Sequence, residues 1–331
     1  MQPFTYVKPS TVPEAVLAVA AGGPSTRFIA GGTSLYDLMK LNVEAPTRVV
    51  DITGLKELHS FDTSGSRELV FGALARMSDV AEDGRIKRDF PALAESLSKA
   101  ASQQLRNMAS VGGNLLQRTR CPYFRHGEPF ACNKRAPGSG CAAQEGLNRG
   151  HALLGGSQAC IAVYPGDWAI ALAAFDAEVD VIGQHGQRTV ALNGLHVEPR
   201  DTPQVETVLA PDELITRIRV PVSRLGRAST YHKIRDRESY AFALTSAAVA
   251  LRLDGQTVRE ARIALGGVAT KPWRAREAER TLVGRPLTAE AAKAAGEVAF
   301  RGARSTEHNR FRIELGARTV ADALMIARQR V

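Results

Sequence analysis

Apolar positions near the start of the chain alternate between two periods, and each period predicts a different element. A helix start at Ser10-Thr11-Val12-Pro13-Glu14, continued by an Ala/Val-rich run that stops at Gly22-Gly23, predicts a helix. Thr26 to Ala30 predicts a short strand, Tyr36 to Lys40 a helix and Arg48 to Ile52 a second strand, so that a small βαβ unit forms around a glycine-rich turn. A second segment opens with strand-like Glu68 to Leu74 and continues with helical patterns from Ser78 and over Pro91 to Leu105. Further on, Trp168 to Asp176 predicts an apolar helix, and Glu178 to Ile182 alternates as a strand.

The pattern breaks at Pro221 to Arg227. Strands are predicted beyond it over Thr230–Ile234, Ala247–Leu253 and Val258–Gly266, then amphipathic helices over Trp273–Val283 and Thr288–Arg301. Between the second segment's two halves, a window containing Pro122, Pro129, Pro137, Gly138 and Gly140 follows neither period. Such a stretch predicts an ordered loop held by something other than a hydrophobic core.

That window holds every cysteine of the 331 residues: Cys121, Cys132, Cys141 and Cys160, with ten, eight and eighteen residues between neighbours. Cysteines placed for packing would scatter, so the cluster predicts a site, either two disulfides, a tetrahedral zinc or an iron-sulfur cluster. No C-x-x-C pair is present to start a zinc knuckle. Arg118, Arg120, Arg125, Lys134 and Arg135 share the window, and an anionic cluster would gain from such cations.

Composition is that of an ordinary globular protein of two or three domains, and the net charge of +9 is spread along the chain without a basic tail. No nucleic-acid-binding motif accompanies it, so no nucleic-acid partner is expected, and an acidic partner subunit is the functional alternative to a solvated basic surface. No stretch of about 18 apolar residues occurs, so no membrane span and no export signal are expected in this sequence. The seven histidines form no H-E-x-x-H pattern, and no G-x-S-x-G elbow supports a hydrolase.

Two glycine-bordered stretches could bind an anion. Arg27-Phe28-Ile29-Ala30-Gly31-Gly32-Thr33-Ser34-Leu35 runs from a strand into a helix start; it either presents backbone N–H groups to a phosphate or is a plain capped turn. Gln104 to Leu115, containing Ser110, Gly113 and Asn114, repeats the theme, and two such loops suit a pyrophosphate held between subdomains. Gly138 to Ala143 matches G-x-G-x-x-A only formally, because no strand precedes it. In the third segment, Lys233 to Phe242 could place a cation and an aromatic beside a ligand.

Taken together, A-G-G-T-S-L at 30–35, Q-L-R-N-x-x-S-V-G-G-N-L-L at 104–116 and G-G-V-A-x-K-P-W-R at 266–274 resemble the FAD-binding medium subunit of molybdenum hydroxylases, over essentially the whole chain. That family includes xanthine dehydrogenase, carbon monoxide dehydrogenase and bacterial aldehyde oxidoreductases. Most members lack the cysteine-bearing insertion. It is similar to the one that binds a [4Fe-4S] cluster in the periplasmic aldehyde oxidoreductase branch, and another occurs in the FAD subunit of 4-hydroxybenzoyl-CoA reductase.

The resemblance implies an α+β protein. Its two-subdomain, PCMH-type FAD-binding domain would span 1–56 and 57–222 with the insertion at about 117–162, and a C-terminal α+β domain of the CO-dehydrogenase flavoprotein type would span 223–331. It implies that Arg27 to Leu35 wraps the FAD pyrophosphate, that Ser110, Gly113 and Asn114 complete the cradle, and that Asp167 bonds ribityl or ribose hydroxyls. Lys233 would stand near the flavin, Tyr240 would pack at the isoalloxazine, and the four cysteines would ligate the cluster. The flavin would carry the chemistry, so no catalytic side chain is assigned.

Implied partners are a molybdenum cofactor-binding large subunit, a [2Fe-2S] small subunit and an external electron acceptor. The compartment would be the periplasm if a signal-bearing partner exports the complex, and the cytoplasm otherwise. Three other readings stay open: a 4-hydroxybenzoyl-CoA reductase-like subunit, a self-sufficient FAD oxidase, and a zinc- or disulfide-clipped scaffold.

Overall fold

A computed structural model describes residues 1–331. The first subdomain is the expected βαβ unit. Strands β1 (Thr5–Val7), β2 (Thr26–Ile29) and β3 (Arg48–Asp51) form a parallel sheet in the order β1-β3-β2. Helix α1 (Val12–Ala21) starts where Thr11 accepts the Glu14 N–H, and the short α2 (Leu35–Lys40) follows the glycine-rich turn.

The second subdomain is a five-stranded antiparallel sheet in the order β4-β5-β8-β6-β7, built from β4 (Phe61–Asp62), β5 (Glu68–Gly72), β6 (Glu178–Gly183), β7 (Gly186–Ala191) and β8 (Leu214–Pro221). Its helices are α3 (Met77–Glu82), α4 (Gly84–Asp89), α5 (Pro91–Ser98), α6 (Gln103–Met108), α7 (Val111–Leu115), α8 (Pro122–Arg125), α9 (Trp168–Ala174) and α10 (Leu192–Leu195). The single helix predicted over Pro91 to Leu105 is two. Ala101 adopts φ +47° and Ser102 caps a new helix through the Leu105 N–H, which turns the chain toward the second glycine loop.

The third region is an antiparallel sheet in the order β12-β11-β10-β9, from β9 (Ser229–Ile234), β10 (Thr245–Asp254), β11 (Thr257–Gly266) and β12 (Trp273–Arg274). It is covered by α11 (Arg276–Leu282), α12 (Ala289–Ala299) and α13 (Phe311–Arg328). The helix expected from Trp273 begins at Arg276, because Trp273 and Arg274 pair with β11.

Helix α9 explains how these parts unite. Every residue of it is buried, as its uniformly apolar sequence requires. On one side Trp168 meets Phe71 of β5 edge-on at 5.5 Å. On the other side lies the third sheet. Alternate residues of β10 divide between two cores: Ala248 and Ala250 join the core around α9, while Ala247, Val249 and Leu251 join the core of the C-terminal helices. Alanine on the α9 side permits the close approach of helix and sheet.

The insertion carries only α8 and turns. Phe124 and Cys132 are its buried centre, packed against Leu38 of α2. No helix of the structure is long and apolar enough to cross a membrane.

Candidate functional site

The turn after β2 keeps its backbone donors free. The N–H groups from Ala30 to Leu35 donate to no acceptor in the chain, although all six residues are half-buried. Neither the Thr33 nor the Ser34 hydroxyl is bonded, and Ser34 does not cap α2 through its side chain. Gly32 bends the turn with φ +72°. Gly31 lies against the end of α6 so closely that a Cβ would stand 1.8 Å from the Met108 carbonyl oxygen. The two glycine-rich loops therefore touch across the boundary between subdomains.

In the second loop, Ser110 accepts the Gly113 N–H and starts α7. The Asn114 Oδ1 is buried without a partner. A row of N–H groups, two hydroxyls and a buried amide oxygen, none with a partner in the chain, fit a pyrophosphate with adjoining sugar hydroxyls.

Arg27 turns its guanidinium to Glu44 at 3.2 Å and to the Pro24 and Thr26 carbonyls, and Phe28 and Ala30 pack on the first subdomain's core. Ile29 passes its carbonyl to the Ile52 N–H. Asp167, just before α9, is buried with both oxygens bonded: Oδ2 lies 2.9 Å from Lys233 Nζ, and Oδ1 accepts from the Tyr231 hydroxyl at 2.5 Å. Burial pushes the Asp167 carboxyl up against the opposing pull of Lys233 and Tyr231. Tyr240, at φ +52°, is 56% exposed in the β9–β10 connection, with Arg237 over its ring. Phe242, two residues on, lies against the Arg120 guanidinium at 5.3 Å.

All four cysteines line one small apolar cavity together with Phe124, Ala131, Ala143 and Ala162. None is bonded to another. Burial pushes the Cys121 thiol up to about 12, opposed by the Tyr123 and Phe124 N–H groups. Burial also raises Cys160, against Lys134 and the Ala162 N–H. No three His, Cys, Asp or Glu side chains converge closely enough to hold a single metal ion. Gly138 to Ala143, the formal fingerprint, is part of this site's wall: Gly140 N–H bonds Asn133 Oδ1, and Cys132 and Cys141 form an isolated bridge.

A line of charges joins this cavity to the first loop. Asp37 of α2 accepts from Arg120 at 3.0 Å and from Arg125 at 2.8 Å, and the Arg125 hydrogen bond holds its carboxyl below the usual range. Arg118 pairs with Glu44 and with Glu206, and Lys134 reaches Glu206 at 2.9 Å. Burial would raise Glu206, but Lys134 and Arg118 outweigh it and hold it low. These acidic partners and His151, whose Nε2 lies 3.2 Å from Cys121 Sγ, were not singled out by sequence. No spacing signal marks them, because only tertiary folding of the insertion against the two subdomains brings them together.

Fold and loops define a protein of two α+β domains built to hold a dinucleotide cofactor. Residues 2–223 match the family described as FAD binding domain in molybdopterin dehydrogenase, and residues 229–324 match the CO dehydrogenase flavoprotein C-terminal domain. The chain belongs to the FAD-binding medium subunits of the molybdenum hydroxylase family. It is 45% identical over 329 residues, 99% of each chain, to the aldehyde oxidoreductase FAD-binding subunit PaoB of Escherichia coli K12. It is 28% identical to the carbon monoxide dehydrogenase medium chain of Hydrogenophaga pseudoflava, covering 90% of this chain and 86% of that one. A solved carbon monoxide dehydrogenase of H. pseudoflava, lacking the Mo-pyranopterin moiety, superposes with TM-score 0.78 at 26% identity, over 99% of this chain and 98% of that chain.

Proposed function

We propose that this chain is the FAD- and [4Fe-4S]-carrying electron-transfer subunit of a three-subunit, molybdenum-dependent aldehyde oxidoreductase, beside a molybdenum cofactor-binding large subunit and a [2Fe-2S] small subunit. The observation that carries the reading is the four-thiol cavity packed onto α2, the helix that leaves the loop of free N–H groups. Full-length likeness to an aldehyde oxidoreductase subunit supports the substrate class.

The donor set bears on which metal centre fits. A zinc knuckle starts from a C-x-x-C pair, and the four cysteines offer none. A four-iron cluster takes each thiolate on a separate iron, which suits four cysteines lining a shared cavity with the Ala162 N–H on Cys160 Sγ.

When bound, FAD supplies the exchange of electrons between the partner's [2Fe-2S] clusters and an external acceptor. The chain's own residues would bind and orient it: Ala30 to Leu35 would offer N–H groups to the pyrophosphate and Asn114 and Ser110 would complete the cradle, while Asp167 with Lys233 fixes α9 to the third sheet. Export on a signal-bearing partner would place the complex in the periplasm.

Anaerobic addition of an aldehyde to the purified three-subunit complex should bleach the flavin absorbance, while this chain alone should stay yellow. Bleaching of the isolated chain would replace the proposal by a self-sufficient oxidase.

A further inference from the structure

His151 is 3% exposed, and its Nε2 lies 3.2 Å from Cys121 Sγ. Its Nδ1 is also buried and meets no partner. A metal-ligating thiolate can only accept, so on the cluster reading the nitrogen facing Cys121 carries the proton.

The backbone at His151 is held by Asn148 and by the third region. The His151 N–H bonds the Asn148 carbonyl at 3.0 Å, and the His151 carbonyl accepts from Arg312 Nη1 at 2.7 Å and from Asn309 Nδ2 at 3.2 Å. Arg312, 1% exposed on α13, spends its other donors on the carbonyls of Leu244, Arg149 and Gly267 and meets no carboxylate. An arginine buried without a counter-charge is costly, and what it fixes here is the backbone at His151.

We propose that His151 is a positioning residue that donates an N–H···S hydrogen bond to Cys121 and so raises the reduction potential of the iron-sulfur cluster, with Arg312 locking it in place. The proposal rests on the cluster reading given above. A donor to a ligating sulfur stabilises the added negative charge of the reduced cluster more than the oxidised one, so its removal makes reduction harder.

The test is a redox titration of the intact complex followed by electron paramagnetic resonance, comparing the unmodified protein with His151→Leu and His151→Gln. His151→Leu should keep its iron while its reduction equilibrium shifts about tenfold toward the oxidised cluster, about 59 mV lower for one electron. His151→Gln, whose amide also offers N–H donors, should restore most of that difference. An unchanged potential in His151→Leu with iron retained would overturn the proposal. So would loss of iron from both variants, which would make His151 a fold determinant only. Absence of iron from the unmodified complex would instead overturn the cluster reading itself.

Discussion

Lys233 Nζ lies 2.9 Å from Asp167 Oδ2, with the lysine side chain 1% exposed and the aspartate 6%. Lys233 also donates to the Lys99 carbonyl at 3.0 Å, and Tyr231 joins Asp167 to Ser246. The pair ties the start of α9 and the end of α5 to β9 and β10, so it is a keystone between the FAD-binding domain and the third sheet. Lys233→Met removes the counter-charge of a buried carboxylate and leaves it only the Tyr231 hydroxyl, which costs roughly 3–5 kcal/mol. Thermal unfolding of the isolated chain should show a large drop in Tm for Lys233→Met, and the double variant Asp167→Leu/Lys233→Met should recover much of it.

Gly31→Ala should release flavin without unfolding the chain. Its Cβ would enter the Met108 carbonyl at 1.8 Å and force the two loops apart, a steric conflict worth about 1–3 kcal/mol. Flavin per protein after gel filtration should fall about tenfold, while Gly84→Ala, whose Cβ meets nothing within 4 Å, should retain full flavin.

Asn114→Leu separates cofactor binding from stability. The Oδ1 has no partner within the chain, so the cofactor-free protein should melt at or above the unmodified temperature. Flavin affinity measured by fluorescence quenching should nevertheless weaken by about tenfold, the worth of roughly one good hydrogen bond.

These loops were legible because glycine pairs, hydroxyls and strand-helix punctuation are local. The same holds for α9, whose all-apolar residues permit only a buried helix. Helix α13 was not foreseen, since Arg312 and Thr319 stand on its inner face and break the apolar stripe that marks a surface helix. Strands β7 and β8 were also missed; β7 is an exposed edge with only Val190 buried, so it carries no period-two signal. The four cysteines were read as a site from their clustering, but the cavity they share, and His151 thirty residues from Cys121, come from tertiary folding of a segment without periodicity.

The insertion's attachment should weaken in acid. Asp37 and Glu206 are both held below their ordinary values, so their stabilisation is present above about pH 4 and is lost as pH falls through their folded-state values. Glu206→Gln should be less stable than the unmodified chain at pH 6, and its Tm should fall less between pH 6 and pH 3.5. An equal fall in both proteins would remove Glu206 from the acid-sensitive attachment.

The proposed function puts a flavin cradle and an iron-sulfur site in one chain. Quantitative flavin and metal analysis of the chain purified anaerobically tests it most directly. About one FAD and about four irons per chain are expected, with the iron lost when Cys132 is changed to Ser. Stoichiometric zinc, or free thiols at all four cysteines in a fully flavinylated protein, would contradict it.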